Sequence, residues 1–263
     1  MNNNLNIEGF EDILSSSDSQ LNQTPLGTMD VYADIVYCID LTASMQPIIE
    51  KVKDTARSLH KDLQTVMMNN YQRVIRQLRI KVIGFRDAYV DGSMSFEVSR
   101  FFSLPDETSE FQNFVDRLEA KGGGDIPENS LEALAMAMKS DWCKTIDNSV
   151  RKRHIIVLFT DASAHPLEKA ADGIDENYPS DMPDTYSTIA DWWCGQGSLA
   201  SGSCVSMDQI AKRIALFVPE NSYPWKEVEE DFDGCMVNYI QPANGGRDIT
   251  TDGLLKMLGE TMA

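Results

Sequence analysis

The chain has 263 residues, of which 42% are hydrophobic, and a formal net charge of −18. This length and apolar fraction suit one large folded domain with attached segments. Binding to nucleic-acid phosphates rests on Lys and Arg, and anionic membranes attract the same basic groups, so the acidic balance argues against both kinds of partner. It favours metal ions or basic protein partners, although an acidic surface also serves solubility.

Cysteine usage and the terminal sequence indicate a compartment. The chain has five cysteines without CxxC spacing, which argues against a zinc site or a disulfide framework, and a reducing compartment fits this pattern best. The N-terminus lacks the basic-then-apolar pattern of a signal peptide, and no stretch approaches the roughly 20 apolar residues of a membrane span. We therefore expect a cytoplasmic protein.

The chain divides into a polar N-terminal segment and one domain. Residues 1–30 contain no Lys or Arg and are rich in Asn, Ser and Gln, which predicts a flexible acidic tail. A domain at 31–262 follows, in which apolar strand patterns alternate with helical ones. The predicted strands are 32–39, 78–85, 96–102, 154–160, 213–218 and 235–240. The predicted helices are about 45–68, 109–120, 129–139 and 249–262.

This alternation predicts a Rossmann-like, doubly wound α/β fold. We expect a mainly parallel six-stranded sheet with helices on both faces and one antiparallel edge strand. One connection breaks the rhythm, because about 45 residues at 162–207 separate the fourth strand from the fifth. A connection of that length is typically functional or disordered. Its aromatic residues favour an ordered insertion, with a short helix at 185–193.

Three segments carry oxygen-bearing side chains to one place in this topology. Residues 40–44 have the form Asp-x-Thr-x-Ser after the first strand, 122–128 form a glycine loop that enters a helix, and 160–162 follow the fourth strand. The first and fourth strands can be neighbours where the winding of the sheet reverses, and ligands bind above that point. Two carboxylates facing each other there repel unless a cation lies between them.

The candidate metal ligands are Asp40, Thr42, Ser44, Asp125 and Asp161. Carboxylate and hydroxyl oxygens select hard cations, so Mg²⁺ is the expected ion, with Mn²⁺ or Ca²⁺ as substitutes. Each motif also has a plainer interpretation. The first three residues and Asp125 can cap the helices that follow them, and Asp161 can be a turn residue.

These segments resemble the three loops of the metal-ion-dependent adhesion site (MIDAS) of von Willebrand factor type A domains, over roughly residues 31–262. The pattern at 40–44 is similar to the family's DxSxS or DxTxS signature, and GGGDxPE at 122–128 and TDA at 160–162 resemble its second and third loops. Hemicentin-like and α-kinase-associated proteins share this pattern. The usual second-loop ligand of the family is Thr, and Asp125 stands in the matching region. It can bind directly, bind through water or only cap a helix.

The resemblance implies a binding module rather than an enzyme. A protein partner would supply an oxygen ligand to the metal, within an intracellular complex. One alternative is a metal-dependent phosphate-ester hydrolase, but Thr42 occupies the place of the second acid in Asp-x-Asp phosphatases. Another is a metal-independent scaffold that acts through the insertion at 162–207.

The sequence leaves the roles of two further residues, Asp87 and His165, open. Asp87 lies after the second strand, where it can support the metal site with Arg86 as its ionic partner, or form a surface ion pair with it. His165 follows the third loop, where a structural role is favoured.

Overall fold

The protein is described by a computed structural model over residues 30–123, 126–144, 149–172, 176, 178–196 and 207–263. The predicted flexible tail therefore lies outside the described residues except for Asp30. Within the described ranges, no helix has the length and apolar character needed to cross a lipid bilayer.

Seven strands of the described chain form one sheet. They are β1 (Asp30–Asp40), β2 (Ile75–Phe85), β3 (Phe96–Val98), β4 (Phe102–Leu104), β5 (Val150–Phe159), β6 (Lys212–Pro219) and β7 (Cys235–Ile240). Their order in the sheet is β3-β2-β1-β5-β6-β7, with β4 also paired to β2. All neighbouring pairs are parallel except those that β3 and β4 make with β2. The mainly parallel α/β fold with an antiparallel edge is thus confirmed.

The sheet has one strand more than the six predicted. The single strand expected at 96–102 is divided into β3 and β4, which pair with different parts of β2. Between them the Ser99 hydroxyl accepts a hydrogen bond from the Val82 amide at 2.8 Å and donates one to the Arg100 carbonyl at 2.7 Å. A side chain therefore replaces a backbone partner there, which interrupts the ladder.

Helices cover both faces of the sheet. The helices of the described chain are α1 (Gln46–Ala56), α2 (Leu59–Val66), α3 (Thr108–Asp116), α4 (Ser130–Met138), α5 (Tyr186–Trp193), α6 (Trp225–Asp231) and α7 (Thr251–Met262). Buried side chains of α1, α2, α3 and α7 form one core cluster with one face of β1. Those of α4, α5 and α6 form a second cluster with the other face. Helix α6 was not predicted.

The long helix expected at about 45–68 is divided into α1 and α2. The Ser58 amide donates to the Thr55 carbonyl three residues back, at 3.1 Å, and the Ser58 hydroxyl also approaches that carbonyl, at 3.4 Å. Serine competes in this way for backbone groups and disfavours a continuous helix. The apolar stripe still runs through both helices, because Val52 and Ala56 of α1 and Leu59 of α2 are buried in the same core.

The winding of the sheet reverses at β1. This strand lies between β2 and β5, and the chain moves outward from it in opposite directions on its two sides. Nearly every residue of β1 is buried, as expected for a strand covered by helices on both faces. In such sheets the crevice outside the carboxyl ends of the strands, at the reversal, is the usual ligand site.

Candidate functional site

The carboxyl ends of β1 and β5 lie side by side, as the sequence predicts. Ile39 pairs with Phe159 in the parallel register, so Asp40 and Thr160 follow at equivalent heights. The Thr160 hydroxyl donates to Asp40 Oδ2 at 2.7 Å and accepts from the Ala162 amide at 3.1 Å. Thr160 was not among the predicted ligands. Its position immediately after the apolar run of β5 is the signal that identifies it.

Asp40 is fully buried at the base of the site. Its other oxygen, Oδ1, accepts from the Thr42 amide at 2.8 Å. Burial raises the pKa of Asp40 to about 6, against the lowering effect of the hydrogen bonds from Thr42 and Thr160, and the charge of Asp161 raises it further. The carboxylate is therefore held in place by two donors while its negative charge is poorly compensated.

A chain of oxygen atoms leads from this base to the surface. Thr42 Oγ1 lies 3.2 Å from Ser44 Oγ, and the Ser44 hydroxyl donates to Asp161 Oδ1 at 3.1 Å. Thr42 is buried, Asp161 is half-buried and Ser44 is exposed. Burial also raises the pKa of Asp161, although the hydrogen bond from Ser44 lowers it. Four of the five predicted ligands are thus in one cluster.

The second loop runs alongside the first. The Lys121 amide donates to the Leu41 carbonyl at 2.9 Å, and the Ala43 amide donates to the Gly122 carbonyl at 3.4 Å. Gly123 has a φ of +77°, and a Cβ there would lie 2.7 Å from Thr42 Cβ. A side chain at this position would strain the backbone and press on a predicted ligand. Asp125, the remaining predicted ligand, lies outside the described residues.

The clustered oxygens open into a cleft of about 270 Å³. Its described lining consists of Thr42, Ser44, Gly123, Ile126, Glu128, Asp161, Ala162 and Pro242. The second and third loops are joined below it, since the Glu128 amide donates to the Ser163 carbonyl at 3.0 Å. The loop after β7 closes the remaining side, where a Cβ on Gly245 would collide with the Ser44 carbonyl oxygen. That contribution was not predicted.

The donor set fits a hard cation. The cleft lining has no basic side chain, and no basic group enters the electrostatic surroundings of Asp40 or Asp161 within the described part of the chain. Hydroxyl groups can rotate to present lone pairs to an ion. No group of three or more His, Cys, Asp or Glu side chains suited to a metal occurs among the described residues. The described donors here are instead two carboxylates and neighbouring hydroxyls.

Asp87 and Arg86 do not form the ion pair that the sequence suggested. Both are buried, but Arg86 pairs with Glu97 at 3.1 Å, whereas Asp87 Oδ2 lies 3.1 Å from Nε2 of His165. Arg86 also donates to the carbonyl of Lys121 at 3.0 Å. A buried guanidinium needs several acceptors. The hydrogen bond to the Lys121 carbonyl also connects Arg86 to the residue that precedes the second loop. The predicted pairing of Asp87 with Arg86 is therefore wrong, and neither residue lies at the surface.

A second buried acid lies behind the cleft. Glu132 of α4 is fully buried and accepts a hydrogen bond from the Tyr178 hydroxyl at 2.8 Å. Burial raises the pKa of Glu132 to about 7, the hydrogen bond from Tyr178 lowers it, and the charge of Asp87 raises it again. The sequence gives no sign of this arrangement, because an acid within a helix normally faces water.

Parts of this chain are similar to known proteins. A family model of the von Willebrand factor A domain matches residues 97–175. Integrin beta pat-3 of Caenorhabditis elegans is 27% identical over 167 residues, which cover 60% of this chain and 20% of that protein. Alpha-protein kinase vwkA of Dictyostelium discoideum is 25% identical over 150 residues, which cover 57% of this chain and 21% of that protein. The chain spans about a fifth of the length of these curated relatives.

Several solved structures also align with this chain. A von Willebrand factor type A protein from Catenulispora acidiphila aligns with a TM-score of 0.46 and 16% identity, covering 89% of this chain and 43% of that one. Proximal thread matrix protein 1 from the mussel byssus, with a zinc-occupied MIDAS motif, aligns with a TM-score of 0.44 and 13% identity, covering 88% and 48%. The family-model match supports a von Willebrand factor A domain in this chain.

Proposed function

We propose that this von Willebrand factor A domain binds a divalent cation in the cleft between β1 and β5 and uses it to recognise a protein partner. The observation that carries the proposal is the continuous set of oxygen atoms from Asp40 to Asp161, at the reversal point of the sheet and without a basic neighbour in the described residues. Two carboxylates so placed favour a bound cation, because the ion removes their mutual repulsion.

The chemistry of the donors favours Mg²⁺, with Mn²⁺ or Ca²⁺ as substitutes. In this proposal Thr42, Ser44 and Asp161 line the ion's position, and Asp40 supplies negative charge from below. Asp125 belongs to the predicted ligand set as well. When bound, the ion would attract an oxygen donor from outside the chain, and a carboxylate on a partner fits the exposed mouth near Ser44 best.

The same cleft gives little support to phosphate-ester hydrolysis. Enzymes that transfer or cleave phosphoryl groups position basic side chains or metal ions around the phosphate and place an acid or base beside it. The described lining has no Lys, Arg or His, and Thr42 cannot act as a general acid in place of a carboxyl. We therefore propose a non-enzymatic interaction module.

The compartment belongs to the same proposal. The described cysteines Cys38, Cys143, Cys194 and Cys235 are free thiols, and Cys38 is buried in the core. Free thiols are typical of reducing compartments. We infer an intracellular, cytoplasmic complex as the setting of this domain.

Calorimetric titration of the metal-stripped chain with Mg²⁺, Mn²⁺ and Ca²⁺ tests the site. We expect one ion per chain, and at least about tenfold weaker binding in Asp161→Asn, which removes a negative charge, and in Ser44→Ala, which removes an oxygen ligand. Both side chains reach solvent, so these variants should fold. Asp54→Asn, on the exposed side of α1, is the matched control and should bind like the wild type.

Undiminished metal affinity in Asp161→Asn and Ser44→Ala would contradict the site. If the wild-type chain binds no ion even at millimolar concentration, the metal-independent scaffold becomes the better hypothesis. Circular dichroism of each variant separates the loss of the ligand from the loss of the fold.

A further inference from the structure

A groove separate from the metal cleft lies on the insertion between β5 and β6. The 3-10 turn Leu167–Asp172 and the segment at 178–184 enclose about 710 Å³. This volume is in the range of ligand-binding pockets. Apolar side chains form its floor and acidic ones its rim. The floor includes Leu167, Met182 and Pro183, and the rim includes Glu168, Asp181 and Asp184.

The walls of this groove are attached to the body of the domain. The Tyr178 hydroxyl donates to buried Glu132 of α4, and Lys139 Nζ at the end of α4 donates to the Asp181 carbonyl at 3.0 Å. Met182 packs against the second core cluster. Leu167 is itself a buried member of that cluster. The groove is therefore part of the folded domain, supported by a helix that begins directly after the second loop.

The rim presents negative charge to solvent. Glu168, Asp181 and Asp184 are all exposed, and no ion pair of the described residues includes any of them. The neighbouring Lys169 does not compensate them, because its Nζ lies 3.1 Å from Nδ1 of His165 and 4.0 Å from the centre of the Tyr89 ring. The amine is thus directed towards the domain, away from the rim carboxylates.

We propose that this groove binds a segment of a partner protein in which Lys or Arg side chains alternate with apolar ones. The floor would take the apolar side chains, while the rim carboxylates attract the basic ones. The tail of this chain cannot supply such a segment, because residues 1–30 contain no Lys or Arg. The metal cleft, by contrast, attracts oxygen donors. The two surfaces therefore select opposite charges, and binding in the groove does not depend on the metal.

Fluorescence anisotropy with a labelled octapeptide of alternating leucine and arginine tests the proposal. We expect saturable binding to the wild-type chain that persists in EDTA. The triple variant Glu168→Gln, Asp181→Asn, Asp184→Asn should bind about tenfold more weakly, the effect of removing three exposed charge contacts. Asparagine is chosen at Asp181 because this residue has a φ of +59°, which asparagine tolerates.

The matched control is Asp54→Asn, Glu110→Gln, Glu260→Gln, which removes three exposed charges from the helices on the opposite face. It should bind the peptide like the wild type. A peptide with serine for each leucine should bind at least about tenfold more weakly than the parent peptide, and one with glutamate for each arginine should not bind.

Three results would overturn the proposal. Equal weakening by both triple variants would show attraction to the net charge of the chain rather than to the groove. Equal binding of the serine peptide would remove the role of the apolar floor. Self-association of the wild type that the groove variant abolishes, without peptide binding, would assign the groove to a second copy of this chain. Each result is independent of metal affinity, so it is distinguishable from failure of the metal site.

Discussion

At the scale of single residues, two buried acids, Asp40 and Glu132, both have a pKa raised by burial, but only one of them can be recognised from the sequence. Asp40 ends a central strand, where a carboxylate among apolar residues stands out in the sequence. Glu132 lies between leucines and alanines in α4 and is fully buried. The pKa of each is raised by burial. Only the first could be recognised beforehand, because Tyr178, the hydrogen-bond partner of Glu132, is distant in sequence.

Glu132 makes the stability of the domain depend on pH. Its pKa is about 7 in the folded chain and about 4.5 when unfolded, so the folded state binds the proton more tightly. The free energy of unfolding should therefore fall as pH rises from about 4.5 to 7. In urea unfolding, Glu132→Gln should be roughly 1–3 kcal/mol more stable than the wild type at pH 8 and about equal to it at pH 4.

The control for this prediction is Glu110→Gln, an exposed glutamate of α3 that should leave the pH dependence unchanged. A constant difference between Glu132→Gln and the wild type across the pH range would show that Glu132 does not titrate on unfolding in this way.

At the scale of helices and strands, the local sequence predicted where these elements lie better than it predicted where each one begins and ends. The short helix expected at 185–193 is present as α5, and Thr185 precedes it. The Thr185 hydroxyl accepts from the Thr188 amide at 3.1 Å, which satisfies one of the free amides of the first turn. The break between α1 and α2 and the division of the third predicted strand were not visible, because each involves hydrogen bonds between a serine and the backbone.

Removal of this helix cap should destabilise the domain. Thr185→Ala should lower the free energy of unfolding by about 1 kcal/mol, since the Thr188 amide loses its side-chain acceptor and keeps only the Thr185 carbonyl, also at 3.1 Å. Thr185→Ser keeps the oxygen and should retain most of the stability. The measurement is the midpoint of urea unfolding at constant slope. As a control, Thr65→Ala in α2 removes a hydroxyl that bonds only to the carbonyl four residues back, and should be neutral or slightly stabilising.

An unchanged midpoint in Thr185→Ala would mean that α5 is held by its apolar contacts alone. Ile189, Trp192 and Trp193, its buried residues, would then account for its position.

At the scale of the whole molecule, the insertion is part of the second core. Trp193 is almost fully buried and stacks on Phe232, with ring centres 4.9 Å apart. Its indole nitrogen donates to the Asp233 carbonyl at 3.1 Å. The insertion therefore covers one face of the sheet together with α4 and α6. This observation favours unfolding of the described core in one step.

Truncation of Trp193 tests whether the insertion unfolds together with the rest of the described core. Trp193→Ala should lower the free energy of unfolding by about 3–5 kcal/mol, because it leaves a large cavity in the core. Trp193→Phe should cost less, since an aromatic ring remains against Phe232. Far- and near-ultraviolet circular dichroism should report the same single transition in each variant. Ile210→Ala, at a highly exposed side chain, should change stability by less than about 0.5 kcal/mol.

Two separate transitions in the wild type would contradict a shared core. In that case Trp193→Ala would shift only the transition of the insertion.

The amino-acid sequence was sufficient to predict the class of fold and the two strand ends at which the candidate ligands lie. Buried strands are readable because their apolar runs are continuous. Asp40 stands directly after one of these runs, and Asp161 stands two positions after another. The tertiary structure alone decided what surrounds these acids. The Thr160 hydroxyl, the close approach of Gly245 and the pairing of Asp87 with His165 join residues far apart in the chain. Such contacts depend on how packed elements meet, and periodicity within one element carries no information about its neighbours.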